Sequence, residues 1–532
     1  MIGPSAIIPR IVRTNVSSFL QTALENSGEL AIDLNTTDKT HPRELFKLAG
    51  MGTTLTFASY EDCLTNGLSA VLERVFYHQV GTGFARPVDP GLQTFQRYLR
   101  PFFSRFASRV IPTVPIPVLD YPMTAYRGRR LKLYTRAAEN LVLRGLRKSD
   151  SYLGTFLKHE KIPVGTKRAV PRVIQPRKPE YNVEVGRYIR PLEHCVYGII
   201  NSIFGSQTVL KGLNAFQAGT AIAEAWGKYR NPRGFGMDAS RYDQHVSKSA
   251  LEWEHLVWRL FFPGDRDFAR SIRLQLKNRG FLRLPDGTIM YNIDGGRASG
   301  DMNTASGNVL LMCAKQYALF TLLGLVDRQG HPTVTLVNNG DDCFVIGEER
   351  DVLLVRAAAP AFFAILGFIM KVEPVVDSIE QTIFCQTQPV FDGVAWRLVR
   401  DPHTSLSKDI TFLSKRVVAN RQLLSIHCHA IGECGLALTK GMPILQEYYS
   451  ALMRNSRRGR PDEVFLETGF FQLSRGLDPA RSQVTHASRV SFARAFGILP
   501  DTQIALEKHY ALIDEIPFGS PHYGAVECVT IS

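Results

Sequence analysis

The sequence has no uninterrupted apolar run long enough to cross a membrane. Its two most hydrophobic stretches are both broken: Asn308 to Val326 contains Lys315 and Gln316, and Leu353 to Met370 contains Arg356 and Pro360, so both read as buried helices. Membrane residence would then require a partner. Met1 to Val12 carries Pro4 and Pro9 and no apolar core, so no secretory signal is expected. Internal repeats and low-complexity tracts are missing too, and the composition excludes disordered and fibrous classes. Cysteine is sparse, with eight in 532 residues and no paired C-x2-C spacing. Isolated thiols in apolar surroundings fit buried side chains of an intracellular, reducing compartment better than a disulfide framework. His427, Cys428, His429 and Cys434 lie close together but lack a second ligand pair, so a zinc site is not adopted.

The most informative shortage is of acid in one segment. Between Arg97 and Arg190 there are 21 Lys and Arg against 6 Asp and Glu, whereas the whole chain carries 63 against 49. The remainder is nearly neutral, so the net charge of +14 resides in that segment. Positive charge concentrated in this way implies a polyanionic partner, first a nucleic-acid backbone or nucleotide phosphates and second an anionic membrane.

At 45% hydrophobic and 21% charged residues, the chain can bury sizeable cores and has the length of three or more modules. Breaks are expected at the proline-rich Ile111 to Pro122, at Asp401-Pro402, and at the basic loop Asn455 to Pro461. From Phe235 to Arg400 short β-like runs alternate with helical ones. Beyond Ile410 helical periodicity dominates, as in Gly441 to Met453.

The middle segment carries the chemistry. Phe235-Gly236-Met237 leads as a short strand into Asp238, and Asp243 follows ahead of an amphipathic helical run from Ser247 to Phe262. Further on, Val334 to Val337 enters Asn338-Asn339-Gly340-Asp341-Asp342 and leaves through Cys343 to Ile346, an apolar strand, tight turn and apolar strand. Adjacent aspartates repel, and a hard divalent cation relieves the repulsion. With Asp238 beside this hairpin, Asp238 and Asp341 could hold two Mg2+ ions roughly 3.5–4 Å apart, an arrangement for phosphoryl transfer. Ordinary turn chemistry is the alternative for an isolated Gly-Asp-Asp. Against it stands Gly295 to Asn308, a glycine-rich loop entering a helix on which Thr304 and Asn308 share a face.

In this order and spacing the three elements resemble the viral RNA-dependent RNA polymerases, most closely those of the tombusvirus and luteovirus kind, from about Lys158 to Tyr449. DASRYD resembles motif A, SGDMNTASGN motif B and GDD motif C. The resemblance implies that Asp238 and Asp341 are metal ligands with Asp342 auxiliary. It implies that Asp243, Ser299, Thr304 and Asn308 recognise the 2′-hydroxyl of the incoming nucleotide. For Asp243 the alternative is a helix cap. Lys167 to Arg177 is similar to motif F, so Arg172 with Lys167 or Arg168 would clamp the triphosphate, with Lys158 and Arg177 as second choices; a solvated basic loop is the alternative. Gly367 to Glu373 is similar to motif D, which makes Lys371 the candidate acid for the leaving pyrophosphate, against an exposed lysine at a strand start. Phe384-Cys385-Gln386 with the β runs joined at Asp392-Gly393 resembles motif E, the hairpin supporting the growing 3′ end, and Cys385 reads as a packed thiol.

The implied architecture is an α+β right-hand polymerase with an antiparallel palm sheet and a mainly helical thumb. Residues 1–230 would form an N-terminal extension and fingers including the basic segment 97–190. Residues 231–400 would form the palm, with a fingers return near 263–284, and 401–532 the thumb. The implied reaction is templated ribonucleotide addition to an RNA 3′-hydroxyl with release of pyrophosphate, replicating a plus-strand RNA genome. Mg2+ is the expected ion and Mn2+ the alternative. RNA template and product, ribonucleoside triphosphates and a membrane-anchored viral replication protein are the expected partners, and the expected place is the host cytoplasm at membrane-associated complexes. An inactive RNA-binding relative and a reverse transcriptase are the competing readings. The asparagine pair before Gly340, unlike the tyrosine-containing turn of reverse transcriptases, weighs against the latter.

Overall fold

A computed structural model describes residues 18–35, 43–48, 50–52, 55–165, 170–466, 468–516 and 526–529. Lys167 and Arg168 lie outside the described residues. Ser247 caps the helix α1 (Lys248–Arg259), its hydroxyl accepting from the Ala250 amide at 3.2 Å. A second helix, α2 (Thr304–Leu322), is apolar nearly all round, and such a helix must be enclosed. It is buried from Ser306 to Phe320, so the interrupted stretch around Lys315 is core.

The central sheet is antiparallel and four-stranded. Its strands are β1 (Pro232–Ala239), β2 (Thr335–Asn339), β3 (Asp342–Glu348) and β4 (Met370–Val372), in the order β2-β3-β1-β4. Alternation along the strands decides what covers each face. Phe235, Met237, Leu336 and Val345 join a core with α2 and with α3 (Glu349–Ile365), while Val337, Phe344 and Ile346 join another with the helix Ala215–Gly227. Both faces are therefore buried, and only the strand ends and turns are available for chemistry. The hairpin of β5 (Thr387–Phe391) and β6 (Trp396–Arg400) adjoins the second core.

A separate five-stranded sheet joins Leu30–Leu34, Gly287–Asp294, Lys277–Leu284, Leu153–Leu157 and Val173–Ile174, in that order. The segment expected to return at 263–284 thus continues through a second strand to Asp294. The N-terminal 230 residues are also divided. Leu45–Leu48 pairs with Thr411–Phe412 and with Val526–Val529, and Leu48 and Met51 pack in the C-terminal core. Helices Arg421–Leu438 and Leu445–Arg454 organise that core, and Asp401 caps the helix Pro402–Lys408 by accepting from the Thr404 amide at 2.9 Å. Among the described residues no helix is long and apolar enough to cross a membrane.

Candidate active site

Asp238 lies near the end of β1, exposed, one residue beyond the last β1–β3 pair, Met237↔Cys343; on its other side its register partner is Lys371 of β4, also exposed. Asp341 stands in the two-residue turn closed by the pair Asn339↔Asp342, where Gly340 takes a φ of 79° that a side chain would strain. Asn338, fully buried, fastens this turn from below: its Nδ2 donates to the Gly340 carbonyl at 2.8 Å and to the Asp342 carbonyl at 3.2 Å.

Asp238 and Asp341 line one cavity of about 330 Å3 together with Arg172, Asp243 and Ser299. The Asp341 carboxyl is held above its ordinary value, by desolvation first and by the neighbouring Asp238 carboxylate. Asp342 is raised by desolvation and then by Asp341, and Glu373 by desolvation and then by Asp238 and Asp342. Acids thus cluster about the ends of β1 and β3. Among the described residues no three His, Cys, Asp or Glu side chains form a ready metal cage. Two carboxylates on one cavity, one raising the proton affinity of the other, nevertheless fit Mg2+, which typically takes one or two carboxylates and completes its shell with water and substrate phosphates.

Four arginines line the cavity, of which Arg297 is engaged in a buried ion pair. Arg172 reaches the cavity with its side chain 56% exposed, held loosely to Glu160 at 3.5 Å. Arg74 and Arg241 line the same cavity, and burial together with Arg241 and Arg172 pushes the Arg74 guanidinium down to about 10. Sequence reasoning passed over both. Arg74 lies outside every motif, and Arg241, though inside DASRYD, gave no sign of its orientation.

Asn308 Nδ2 donates to Asp243 Oδ1 at 3.0 Å, and Arg297 Nε donates to Asn308 Oδ1 at 3.0 Å. Arg297 is itself ion-paired with Glu254, both side chains fully buried. Gly307 makes room for that pair, since a Cβ there would stand 2.4 Å from Glu254 Oε1. The capping alternative for Asp243 loses its basis, because Ser247 caps α1 and the Asp243 carboxylate is engaged by Asn308. Burial nevertheless raises the Asp243 carboxyl above its ordinary value. Ser299 lines the cavity and accepts from the Gln175 amide at 3.1 Å.

Other expected residues lie elsewhere. The Thr304 hydroxyl donates to the Ala298 carbonyl at 2.7 Å, bracing the glycine-rich loop. Lys158 pairs with Glu160 at 3.2 Å. Arg177 requires correction as a phosphate ligand. Its side chain is wholly buried, ion-paired with Asp301, and donates to Asn278 Oδ1 at 2.8 Å, so it holds the loop Gly295 to Asn303 to the five-stranded sheet.

Against this geometry, the model of the family described as viral RNA dependent RNA polymerase matches residues 33–514. The RNA-directed RNA polymerase of Tobacco necrosis virus (strain D) is 38% identical over 486 residues, covering 88% of this chain and 65% of that relative. That of Turnip crinkle virus is 38% identical over 478 residues, covering 88% and 60%, and that of Melon necrotic spot virus is 37% identical, covering 88% and 58%. The chain spans about three-fifths of the length of the curated relatives it matches. With residues 33–514 matched, most of its length, the chain belongs to the viral RNA dependent RNA polymerase family.

Proposed function

We propose that the chain synthesises RNA on an RNA template, adding ribonucleotides to a 3′-hydroxyl with release of pyrophosphate in the replication of a plus-strand RNA virus. The observation that carries the reading is the convergence of Asp238, Asp341, Asp243 and Arg172 on one cavity from elements far apart in the chain. Residues 231–400 then serve as palm, the basic N-terminal segment with the return through Asp294 as fingers, and the C-terminal helices as thumb.

In this reading Asp238 and Asp341, with Asp342 beside them, hold Mg2+ or alternatively Mn2+. Ions held there would lower the pKa of the attacking hydroxyl and neutralise charge on the leaving oxygen. Arg172, supported by Arg74 and Arg241, receives the triphosphate through bidentate guanidinium contacts. Asp243, fixed by Asn308, directs its remaining oxygen to the 2′-hydroxyl, with Ser299 on the same wall. Lys371, register partner of Asp238, gives its proton to the departing pyrophosphate. A membrane-anchored viral replication protein is the proposed partner, bringing the chain to membrane-associated complexes in the host cytoplasm.

The test is primer-free RNA synthesis by the purified chain on a defined template, with and without Mg2+. Product that depends on Mg2+ and vanishes in Asp341→Asn supports the reading. RNA binding without synthesis would leave the inactive RNA-binding alternative.

A further inference from the structure

A second hairpin stands against the first. Phe384 and Thr387 exchange backbone hydrogen bonds at 2.9 and 3.0 Å, which makes Cys385-Gln386 a two-residue loop. Both residues have positive φ, 51° at Cys385 and 62° at Gln386. Positive φ at both central positions defines the type I′ turn, which Asn-Gly adopts readily and other side chains adopt at a cost. Among the described residues only Arg241 and Ile444 are further non-glycine positions of this kind, so two adjacent ones mark a place where the surroundings impose the conformation.

The Cys385 thiol shows what the strain secures. Asn339 Nδ2 donates to Cys385 Sγ at 3.3 Å, and the thiol stands beside the Asp342 carboxylate, whose proton affinity it lowers. A thiol has an acceptor sulfur and one proton, so with Asn339 on the sulfur the proton is left for the neighbouring Asp342 carboxylate. Asn339 and Asp342 are the closing pair of the turn that carries Asp341. The tip of one hairpin is thus stapled to the neck of another. The staple has firm footing, because Phe384 is buried in the same core as Val337 and Phe344, and the Thr387 hydroxyl donates to the Phe384 carbonyl at 2.7 Å. Glycine at 385 would remove the strain and leave Asp342 untethered.

We infer that Cys385 is a positioning residue, a strained turn residue whose thiol orients Asp342 and couples the β5–β6 hairpin to the catalytic turn. The inference rests on the polymerase reading for its effect on rate, while the strain has its own readout. Full-length Cys385→Ala, Cys385→Ser and Cys385→Gly are compared with the unaltered chain for single-nucleotide addition and, without metal, for Tm. Cys385→Ala should lower kcat roughly tenfold with KM for the nucleotide nearly unchanged. Cys385→Ser, whose hydroxyl both donates and accepts, should recover most of that loss. Cys385→Gly should be as slow as Cys385→Ala yet melt above it, since both lack the tether and only alanine retains the strain. Full activity in Cys385→Ala, or no recovery in Cys385→Ser, would overturn the inference. So would a Cys385→Gly protein melting below Cys385→Ala. If the unaltered chain makes no RNA, the polymerase reading fails and takes the proposed rate role with it. The alanine–glycine melting comparison would still judge the strain.

Discussion

Two groups of charged residues in this molecule are treated in opposite ways. At the cavity Asp238 raises the proton affinity of Asp341 and of the nearby Glu373, and Asp341 raises that of Asp342. Behind the glycine-rich loop, Arg297 pairs with Glu254 and Arg177 with Asp301, all fully or almost fully buried. Burial opposes charge on Glu254, yet the Arg297 guanidinium holds its carboxyl below the ordinary value. The interior pairs carry their own counter-ions and serve the fold. Among the described residues the cavity acids form no equivalent close ion pair, and they are prepared to receive positive charge from outside.

Asp341→Asn tests the cavity acids most severely. Nucleotide addition should fall below about a tenth of the unaltered rate, because the change removes a proposed metal ligand and leaves the core untouched. The Tm at neutral pH without metal should be equal or higher, since a carboxylate raised in the fold costs stability when ionised. Arg297→Met tests the interior. It leaves Glu254 buried and unpaired, so stability should drop by about 3–5 kcal/mol in a denaturant titration, with the Glu254→Leu/Arg297→Met double variant recovering part of it. The Asp243–Asn308 hydrogen bond lies between the two groups. Asp243→Ala should reduce ribonucleotide use more than deoxyribonucleotide use, and an unchanged ratio in single-nucleotide incorporation would remove the sugar role.

Acidity should separate the two groups by sign. For Asp341 the folded value is raised, so its neutral form favours the fold below the unfolded value, and that stability is lost as pH rises through the folded value. For Glu254 the folded value is depressed, so its stability is present above the unfolded value and lost as pH falls through the folded one. The melting advantage of Asp341→Asn should therefore shrink on acidification, whereas the deficit of Glu254→Gln shrinks only at lower pH. The smallest effect concerns salt. Neutralising exposed Arg129, Arg130 and Arg136 should flatten the salt dependence of RNA binding, by up to about one unit of slope for each phosphate that no longer meets a cation.

Strand periodicity and turn chemistry made the central hairpin readable, since apolar runs on both sides of Asn-Asn-Gly-Asp-Asp leave little freedom. The buried helix over Thr304–Leu322 was equally legible from its apolar content despite Lys315. The arginines were not. A run of basic residues looks the same whether a member reaches a cavity, as Arg172 does, or is sealed in an ion pair, as Arg177 is, because the partner Asp301 is distant in sequence. The split of the N-terminal residues between two sheets was hidden for the same reason: Leu45–Leu48 is short, and its partners lie hundreds of residues away. Cys-Gln carries no turn signal, so the strained loop at Cys385 emerges only from the folded backbone.

That N-terminal split has a mechanical consequence. Strand Leu30–Leu34 belongs to the five-stranded sheet and strand Leu45–Leu48 to the C-terminal one, so the covalent chain between them acts as a door chain across two parts of the molecule. Residues 35–44, even fully stretched, reach no more than about 40 Å. Larger gaping between those two sheets is not available unless one strand peels away. Any relative displacement of the two sheets must therefore stay within that span.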